Sequence, residues 1–337
     1  MPYDNMIISE LGEKKLIKKL LKKRDETLTN LPKTILNSYH DDAALQENKD
    51  QYTVISTDML IQHTHFPKQM TPYQMGEKIV TVNVSDILAM NAKPESILIS
   101  MALPKTLDVH DFDEIIDGIL KKCEEYKITL IGGDLNQHDE IILCGTATGQ
   151  INKEVKLQRN IEPTNLIAVT GQLGGPAAAL DLINNDMTLP LQDKEIILNS
   201  LLEPNLPLKT SEILRKHPEI VTSITDITDG LAVELGHLHE KNNNLGFCIH
   251  KNKIPYNKYL EEIANANNKN LNEYLFHFGE EFELLLTLKK DKYNKYKHEL
   301  KDIHVIGEVN NSNQITILEN NSIKNMKIKG YEHLKEN

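Results

Sequence analysis

Tryptophan is absent from this sequence of 337 residues, and aromatic residues together make up only 5% of it. The hydrophobic cores must therefore be built mainly from Ile, Leu, Val, Met and Ala. No run approaches the roughly 20 apolar residues that cross a bilayer. The N-terminal residues MPYDNMIISELGEKK also lack the apolar core of a secretion signal. We therefore expect a cytoplasmic protein with no membrane segment.

Cysteine is scarce, which limits the covalent and metal chemistry open to the chain. The three cysteines, Cys123, Cys144 and Cys248, are odd in number, and none forms a CxxC pair. This pattern indicates neither a disulfide framework nor a zinc site. Reduced thiols are the simple expectation.

Basic residues are outnumbered by acidic ones. Lys and Arg total 38 against 49 Asp and Glu, giving a formal net charge of -11. A broad nucleic-acid-binding face is therefore not expected. An acidic surplus usually serves solubility, but it can also reflect carboxylates clustered to hold cations. The lysines of segment 14–23 are interpreted as the solvated face of a first helix.

Strands alternate with helices in both halves of the sequence, which predicts mixed α/β sheets covered by helices. An amphipathic helix is predicted over 9–24 with Ser9 as its N-cap, and a second helix is predicted to start at Pro72. A strand over 52–57 is expected to end at Asp58. Another, over 128–131, is expected to be buried and to break at two glycines.

Five short segments share an Asp placed where an apolar strand or helix is predicted to meet a turn. Unpaired carboxylates rarely sit beside buried strands, because desolvation is costly. Hydroxyl groups lie next to them, and an oxygen-rich set is what Mg²⁺ prefers. Each Asp alone could be a turn residue or a helix N-cap; the five together favour a cation site. The segments are His40-Asp41-Asp42, Ser56-Thr57-Asp58, Asn83-Val84-Ser85-Asp86, Gly132-Gly133-Asp134 and Asp226-Ile227-Thr228-Asp229-Gly230.

Three further features carry weaker signals. The Gly-rich segment Thr170–Pro176 follows a predicted strand and could present N–H groups to a phosphate, although a tight turn is the more frequent reading. His65 could contact an anionic substrate or be a surface histidine. In the segment GEEFE, Glu280 could face a polar or cationic ligand, whereas Glu283 could simply start a strand.

At this point the motifs resemble a known family, the thiamine-monophosphate kinases. The similarity runs from about Ile8 to Leu334, and VNVSDILAMNAKP and DITDGL are its most specific elements. The motifs occur in the family order: ISELGE, DDAAL, STDML followed by HF, VNVSDILAMNAKP, LIGGD, TGQLGG, DITDGL, GEEFELL and KGYEHL. The wider ATP-binding superfamily includes aminoimidazole ribonucleotide synthetase, selenophosphate synthetase and a hydrogenase maturation protein.

The resemblance implies a two-domain, PurM-like α/β fold (mixed α+β sheets) and a homodimer. The N-terminal ATP- and Mg²⁺-binding domain is expected over 1–158, with its sheet at the dimer interface, and the C-terminal domain over 159–337. The implied reaction is ATP-dependent phosphorylation of thiamine monophosphate to thiamine diphosphate, by direct in-line transfer with several Mg²⁺ ions. No nucleic-acid or membrane partner is implied.

The resemblance also assigns residues. The implied catalytic residues are Asp86, Asp42 and Asp229. The implied metal ligands are Asp42, Ser56, Thr57, Asp58, Asp86, Asp134, Asp226 and Asp229. The implied ATP contacts are Gly133, Asp134, Arg159 and Thr228. The implied substrate contacts are His65 and Glu280, with Ile328 and Tyr331 on a C-terminal segment that closes over a substrate ring.

Several positions depart from the family pattern. His40 stands where Gly usually precedes the paired aspartates, Ile328 stands where an aromatic is common, and Asp117 stands where a tyrosine often contacts ATP. All the implied metal-binding acids are present, so activity is expected.

Three other readings remain open. A selenophosphate synthetase would carry a reactive N-terminal Cys, whereas the first cysteine here is Cys123. A hydrogenase maturation protein would typically carry a cysteine-bearing tail, whereas this sequence ends in KEN. A catalytically silent nucleotide-binding or thiamine-binding protein would bind ATP without turnover. A structural protein, with aspartates only in caps and turns, would not bind Mg–ATP.

Overall fold

The computed structural model of the chain describes residues 7–28, 35–36, 41–152, 155–185, 187–242, 244–331 and 333–334. At 35–36 only the backbone is described. His40, one of the departures noted above, lies outside the described residues. The described chain forms two mixed sheets with helices, which confirms the predicted α/β class.

The first sheet contains six strands within the described residues, in the spatial order β1-β2-β3-β6-β4-β5. Neighbouring strands are antiparallel except β4 and β5, which are parallel. The strands are β1 (Ile35–Leu36), β2 (Ala44–Asn48), β3 (Gln51–Ile61), β4 (Lys93–Leu103), β5 (Thr129–Gln137) and β6 (Ile142–Asn152).

The second sheet contains seven strands among those described, in the order β13-β12-β9-β11-β7-β10-β8. Strands β12 and β9 are parallel, and the other neighbours are antiparallel. The strands are β7 (Leu166–Thr170), β8 (Val221–Asp226), β9 (Gly246–His250), β10 (Leu284–Leu288), β11 (Ile303–Asn310), β12 (Ile315–Glu319) and β13 (Ser322–Asn325).

The described helices alternate with these strands along the chain. A 3₁₀ turn at Lys251–Lys253 and a π-helical turn at Glu273–His277 complete the elements. The α-helices are α1 (Ile8–Leu11), α2 (Glu13–Thr27), α3 (Gln62–His65), α4 (Pro72–Ala89), α5 (Val109–Tyr126), α6 (Gly175–Asn184), α7 (Leu191–Leu202), α8 (Leu208–Lys216), α9 (Leu231–Lys241), α10 (Leu260–Ala266) and α11 (Lys290–Tyr296).

Helix α4 lies between the two sheets and holds them together. It starts at Pro72, as the sequence predicts, and the backbone N–H of Gln74 donates to the Thr71 hydroxyl at 3.2 Å. Fourteen of its 18 residues are buried, because it packs on β3 and β6 of the first sheet and on β8 of the second. A helix buried on all sides usually has no polar face, so the charged residues on α4 must have specific partners.

The opposite face of the first sheet is not covered by any described helix. Apolar side chains on this sheet remain exposed, and β5 at its edge is exposed along almost its whole length. Met59 is 53% exposed, Ile131 57% and Leu135 62%. Large exposed apolar patches usually mark interaction surfaces.

Three details differ from the sequence-based predictions. The first helix is split, because Gly12 adopts φ 73°, ψ 168° and ends α1 before α2 begins; Ile7 rather than Ser9 occupies the N-cap. Strand β3 continues past Asp58 to Ile61, so Asp58 lies inside a strand. Strand β5 continues through Gly132 and Gly133 and is an exposed edge strand instead of a buried one.

All strands of the first sheet precede residue 153, and all those of the second follow residue 165. The boundary between 158 and 159 stays a prediction. All three cysteines are free. Within the described part of the chain, no helix has the length and apolarity needed to cross a bilayer.

Candidate active site

Two neighbouring residues of α4 direct their side-chain oxygens toward different sheets. Successive residues of an α-helix point about 100° apart, so Ser85 and Asp86 face different neighbours. The Ser85 hydroxyl donates to Asp226 Oδ2 at the end of β8. Asp86 Oδ2 in turn accepts from the Ser56 hydroxyl of β3. Helix α4 therefore brings the predicted residues Ser56, Asp86 and Asp226 to one junction.

Asp58 lies beside Asp86 and adds a second carboxylate. Its backbone N–H donates to Asn83 Oδ1 at 3.0 Å, which anchors this part of β3 to α4. Its Oδ2 atom is buried and accepts no hydrogen bond from the described residues. Removal from water and the charges of Asp58 and Asp226 hold the pKa of Asp86 well above its usual value. Burial likewise raises the pKa of Asp58, so this carboxylate pair requires a proton or a cation between its members.

Asp42 joins the same junction from the segment before β2. Gln158 Nε2 donates to its two carboxylate oxygens at 3.0 and 2.9 Å, and the Thr225 hydroxyl donates at 2.7 Å. Lys241 Nζ donates to Gln158 Oε1 and so connects α9 to this carboxylate. Removal from water raises the pKa of Asp42 to about 6, although the Thr225 bond opposes the shift.

Asp229 lies just before α9 and shares a cavity with Asp42. The cavity has a volume of about 840 Å³, and its lining includes Asp41, Asp42, Thr228 and Asp229. Burial and the neighbouring Glu234 carboxylate raise the pKa of Asp229 to about 6. The volume lies within the range of small-molecule sites.

The donor set fits a hard divalent cation. Carboxylate and hydroxyl oxygens are its preferred ligands, and Mg²⁺ typically takes only one or two carboxylates, completed by water and substrate phosphates. The unpartnered Asp58 Oδ2 next to the Asp86 carboxylate supplies such a pair. Within the described ranges, no group of three His, Cys, Asp or Glu side chains is close enough to hold a metal by itself. A cation here would therefore depend on ligand oxygens from a bound phosphate.

Two predicted ligands are not brought to this junction by their side chains. The Thr57 hydroxyl donates to the Gly145 carbonyl at 2.7 Å on the exposed side of the sheet, because successive strand residues face opposite sides. Asp134 lies on the exposed edge strand, three strands from β3, which is about 14 Å at the usual strand spacing. Gly133 precedes it, and a Cβ there would lie 1.8 Å from the Ile99 carbonyl.

Glu280 is held beside the junction by a buried lysine. Lys78 of α4, whose side chain is 0% exposed, donates to both carboxylate oxygens of Glu280 at 3.1 and 2.9 Å. The backbone N–H of Glu280 donates to the Thr228 carbonyl at 2.8 Å. Glu280 also adopts φ +61°, in the left-handed region. A Cβ on Gly279 would lie 1.8 Å from the same Thr228 carbonyl, so glycine is required there.

The C-terminal segment brings aromatic rings to His65. The rings of His65 and His333 are 5.4 Å apart, and Tyr331 contacts His333 edge-on at 4.6 Å. The Ile61 N–H donates to His65 Nδ1 at 2.9 Å, so in the neutral ring the proton lies on Nε2. Burial lowers the pKa of His65, although the Glu280 charge opposes this. Neutral His65 therefore has an N–H donor for an anionic ligand.

Comparisons with known proteins show which family the chain belongs to. Residues 39–151 match the family model "AIR synthase related protein, N-terminal domain". The chain is 32% identical to the thiamine-monophosphate kinase of Pyrococcus horikoshii over 295 residues, covering 88% of this chain and 90% of that one. The chain belongs to the thiamine-monophosphate kinase family. It is also 27% identical to the family member from Aquifex aeolicus over 329 residues, covering 97% of this chain and 100% of that one.

A solved structure extends the comparison to the fold. The chain described as AaThiL complexed with AMPPCP and TMP superposes with a TM-score of 0.83 at 26% identity, covering 98% of this chain and 99% of that one. The kinase family and the mixed α/β fold class predicted from the sequence are therefore confirmed. The assignments of individual site residues stay predictions.

The other positions that the family resemblance singles out differ in their relation to this cavity, and Arg159, Ile328 and Tyr331 are not among its lining residues. Thr228 lines the cavity directly. Arg159 is exposed in the turn after Gln158, and its charge acts on Lys241. Ile328 is 48% exposed and packs over Gly236 of α9, where a Cβ would lie 3.1 Å from its Cγ2. Tyr331 is also 48% exposed.

The Gly-rich segment of this family member forms a tight turn. The N–H groups of Gly171 and Leu173 donate to the Asp302 and Pro255 carbonyls. The Gly174 N–H donates to Glu281 Oε1 at 2.6 Å. These three donors are therefore used inside the protein, which favours the turn over a phosphate loop.

The sequence did not single out four residues that position the site. Gln158 and Lys241 are separated from the acidic motifs in the chain, Lys78 precedes one of those motifs on α4, and His333 lies on the C-terminal segment. Lys78 could have been found from its place inside the apolar pattern of α4, since a lysine on a buried face requires a counter-ion. His333 lies in the family motif KGYEHL, which is its one signal in the sequence, whereas Gln158 and Lys241 carry no local signal.

Proposed function

We propose that this chain transfers the terminal phosphoryl group of ATP to thiamine monophosphate, giving thiamine diphosphate and ADP, the last step in the synthesis of that cofactor. The observation that carries the proposal is the junction at α4. Asp42, Asp58, Asp86 and Asp226 meet there beside a cavity that also reaches Thr228 and Asp229. The relative bound to AMPPCP, an ATP analogue, and TMP supports the choice of ligands.

Several Mg²⁺ ions would be held by these carboxylates. Asp86 would be the central ligand, because its carboxylate interacts electrostatically with Asp58 on one sheet and with Asp226 on the other. Asp42 and Asp229 complete the set from the cavity side, and Ser56 is within reach of Asp86. Bound Mg²⁺ supplies charge neutralisation for the polyphosphate and the acceptor phosphate.

The transfer needs little from a general base. The acceptor is a phosphate oxygen, which is largely ionised near neutral pH because its second pKa is about 6. That oxygen attacks the γ-phosphorus in line, and the bond from the γ-phosphorus to the β–γ bridging oxygen breaks, leaving ADP. No proton is consumed and no phospho-enzyme forms. The chain's own contribution is to align and neutralise two anionic partners.

The acceptor is placed by the residues around Glu280. Lys78 fixes the Glu280 carboxylate, which is then oriented for the cationic thiazolium or the aminopyrimidine of the substrate. His65 presents its Nε2 proton, and the segment carrying Ile328 and Tyr331 closes over a substrate ring.

The proposal includes a homodimer formed through the uncovered face of the first sheet. Exposed Met59, Ile131 and Leu135 supply apolar surface for that contact. Such an arrangement also gives Gly133 and Asp134 a role, because the exposed edge strand would reach the site of a second copy. Arg159 and Thr228 contact the nucleotide from the same chain as Asp42. The domains over 1–158 and 159–337 remain part of this proposal.

The test is direct. Purified protein is incubated with ATP, Mg²⁺ and thiamine monophosphate, and thiamine diphosphate is measured by chromatography. We expect product that depends on all three components. Calorimetry with Mg–ATP runs in parallel: binding without product would favour a silent binding protein, and no binding at all would favour a structural one.

A further inference from the structure

Helix α2 forms one wall of the cavity that contains Asp42 and Asp229. Lys14, Lys18 and Lys22 line the cavity together with apolar residues of the same helix. The three lysines are four residues apart, and an α-helix places such residues on one face. The three lysines are exposed to solvent, as the sequence predicted, and the face that they share also lines the cavity.

The position of α2 is not explained by core packing. None of its residues is buried. It is instead tied at its start, where Glu13 and His333 exchange two hydrogen bonds at 3.2 Å. Lys14 Nζ lies 3.2 Å from His237 Nε2 on α9, and His237 Nδ1 lies 3.1 Å from Glu234. These contacts hold the lysine face of α2 opposite α9.

The lysines face the carboxylates of the opposite wall without pairing with them. Lys18 makes no ion pair with any residue that the structure describes, and Lys22 is 3.8 Å from Glu26 on its own helix. Asp42 and Asp229 lie across the cavity. The charges are not fully segregated, because Lys241 also lines the cavity on the carboxylate side and three acidic residues of α2 line it beside the lysines.

The three acidic residues of α2 each have a partner. Glu13 accepts from the His333 N–H, Asp25 pairs with Arg24, and Glu26 lies 3.8 Å from Lys22. Lys18 is therefore a cation of this wall with no ion-pair partner among the described residues, and it faces a wall that is rich in carboxylates.

A ligand that satisfies both walls must itself carry both signs. A simple cation would be repelled by the lysines, and a free anion would be repelled by the carboxylates. A metal-bound polyphosphate has divalent ions for the carboxylates and phosphate oxygens for the lysines, which bind phosphate as point charges.

We infer that Lys18 and Lys22 bind the polyphosphate chain of the metal-bound nucleotide, so that α2 supplies cationic groups to the nucleotide site. This inference rests on the proposed function for the identity of the nucleotide. It adds to that function a set of residues outside the acidic motifs. Lys14 is a positioning residue, since its amine is engaged with His237.

The test compares two double variants of the same helix. K18Q/K22Q removes two charges from the cavity face, and K15Q/K23Q removes two charges from residues that do not line the cavity. Gln has a helix propensity close to that of Lys, so both variants should keep α2, which circular dichroism checks. The measurements are the Kd of Mg–ATP by calorimetry at low and high salt, and KM for each substrate.

We expect K18Q/K22Q to raise the Kd and KM of Mg–ATP about 5- to 30-fold at low salt, with a smaller effect at high salt. KM for thiamine monophosphate should not change, and K15Q/K23Q should match the wild type. Magnesium tripolyphosphate should compete with Mg–ATP on the wild type and compete less well on K18Q/K22Q.

Equal effects of the two double variants would overturn the inference, and so would a change confined to thiamine monophosphate. Wild-type protein that does not bind Mg–ATP at all would also overturn it. Wild-type protein that binds Mg–ATP but makes no thiamine diphosphate would instead refute the proposed function, and the binding comparison would still decide the role of the lysines.

Discussion

Lys78 of α4 donates to both carboxylate oxygens of Glu280, at 3.1 and 2.9 Å, across the junction between the two sheets. Its third partner is the His65 carbonyl at 2.9 Å. The Lys78 side chain is 0% exposed, whereas that of Glu280 is 29% exposed. One buried ammonium therefore connects a helix between the sheets, the loop before β10 and the short helix α3.

Replacing Lys78 should damage both stability and substrate binding. K78M leaves the Glu280 carboxylate without its counter-ion, and removing one partner of a buried pair costs about 3 kcal/mol or more. Urea unfolding of K78M, E280Q and the double variant measures the coupling between the two residues. We also expect K78M to raise KM for thiamine monophosphate more than KM for ATP. Lys93→Met, at the exposed first residue of β4, is the control. Additive effects of K78M and E280Q would contradict the coupling.

Asp86→Asn should abolish turnover while keeping the fold. The amide removes repulsion from Asp58 and Asp226, so the free energy of unfolding measured in EDTA should not fall. Turnover should drop at least about 10³-fold, on the scale of losing a charged group that stabilises the transition state. The exposed Asp50→Asn is the matched control. Near-normal turnover by D86N would refute the role of Asp86.

A mixing experiment decides whether Asp134 acts within one chain or across the dimer. D86N and D134N should each be inactive alone. If Asp134 serves the site of the second copy, each mixed dimer regains one intact site, and random mixing restores about a quarter of wild-type activity. Activity is measured after the two variants are unfolded and refolded together. No recovery in dimers shown to be mixed would place Asp134 and Asp86 in the same chain's site, whereas full activity of D134N alone would leave Asp134 without a role.

The raised pKa of Glu283 predicts that the stability of the protein depends on pH in a specific way. Burial raises its pKa from 4.5 to about 7, although the Thr170 hydroxyl bond opposes the shift. The protonated form favours the fold, so its contribution is fully present below pH 4.5 and is lost as the pH rises through about 7. Glu283→Gln stays neutral throughout. We expect the free energy of unfolding of E283Q to match that of the wild type at about pH 5. At about pH 8 it should exceed the wild-type value by on the order of 1–3 kcal/mol.

Urea unfolding of E283Q and wild-type protein at both pH values measures this difference. Other carboxylates titrate in the same range, including Asp42 and Asp229, so the test is the difference between the two proteins and not the slope of either. A difference that stays constant with pH would show that Glu283 has an ordinary pKa in the fold.

His333 should contribute to binding of the acceptor. Its ring lies 5.4 Å from that of His65 and contacts Tyr331, and its backbone bonds to Glu13 remain when the side chain is truncated. We expect His333→Ala to raise KM for thiamine monophosphate about 3- to 10-fold, the scale of one lost aromatic contact, with KM for ATP unchanged. His298→Ala, an exposed histidine, is the control. Equal changes in both KM values would indicate a general structural effect.

The sequence alone determined the class of fold and the family. Pro72 predicted the start of α4, and the Asp-containing motifs predicted an oxygen-rich cation site. Both follow from local chemistry: proline sets φ at a helix start, and desolvation makes unpartnered carboxylates rare beside apolar segments. The order of the motifs then identified the family.

Only the tertiary structure decided how those carboxylates are arranged. It joined Asp226 to Ser85 and Asp42 to Gln158, which lie far apart in the chain, and it placed Asp134 on an exposed edge strand. It also placed Lys14, Lys18 and Lys22 of α2 along the cavity. Side-chain periodicity shows which residues share a face of an element, but which other element that face meets depends on long-range packing, and packing is a property of the whole chain.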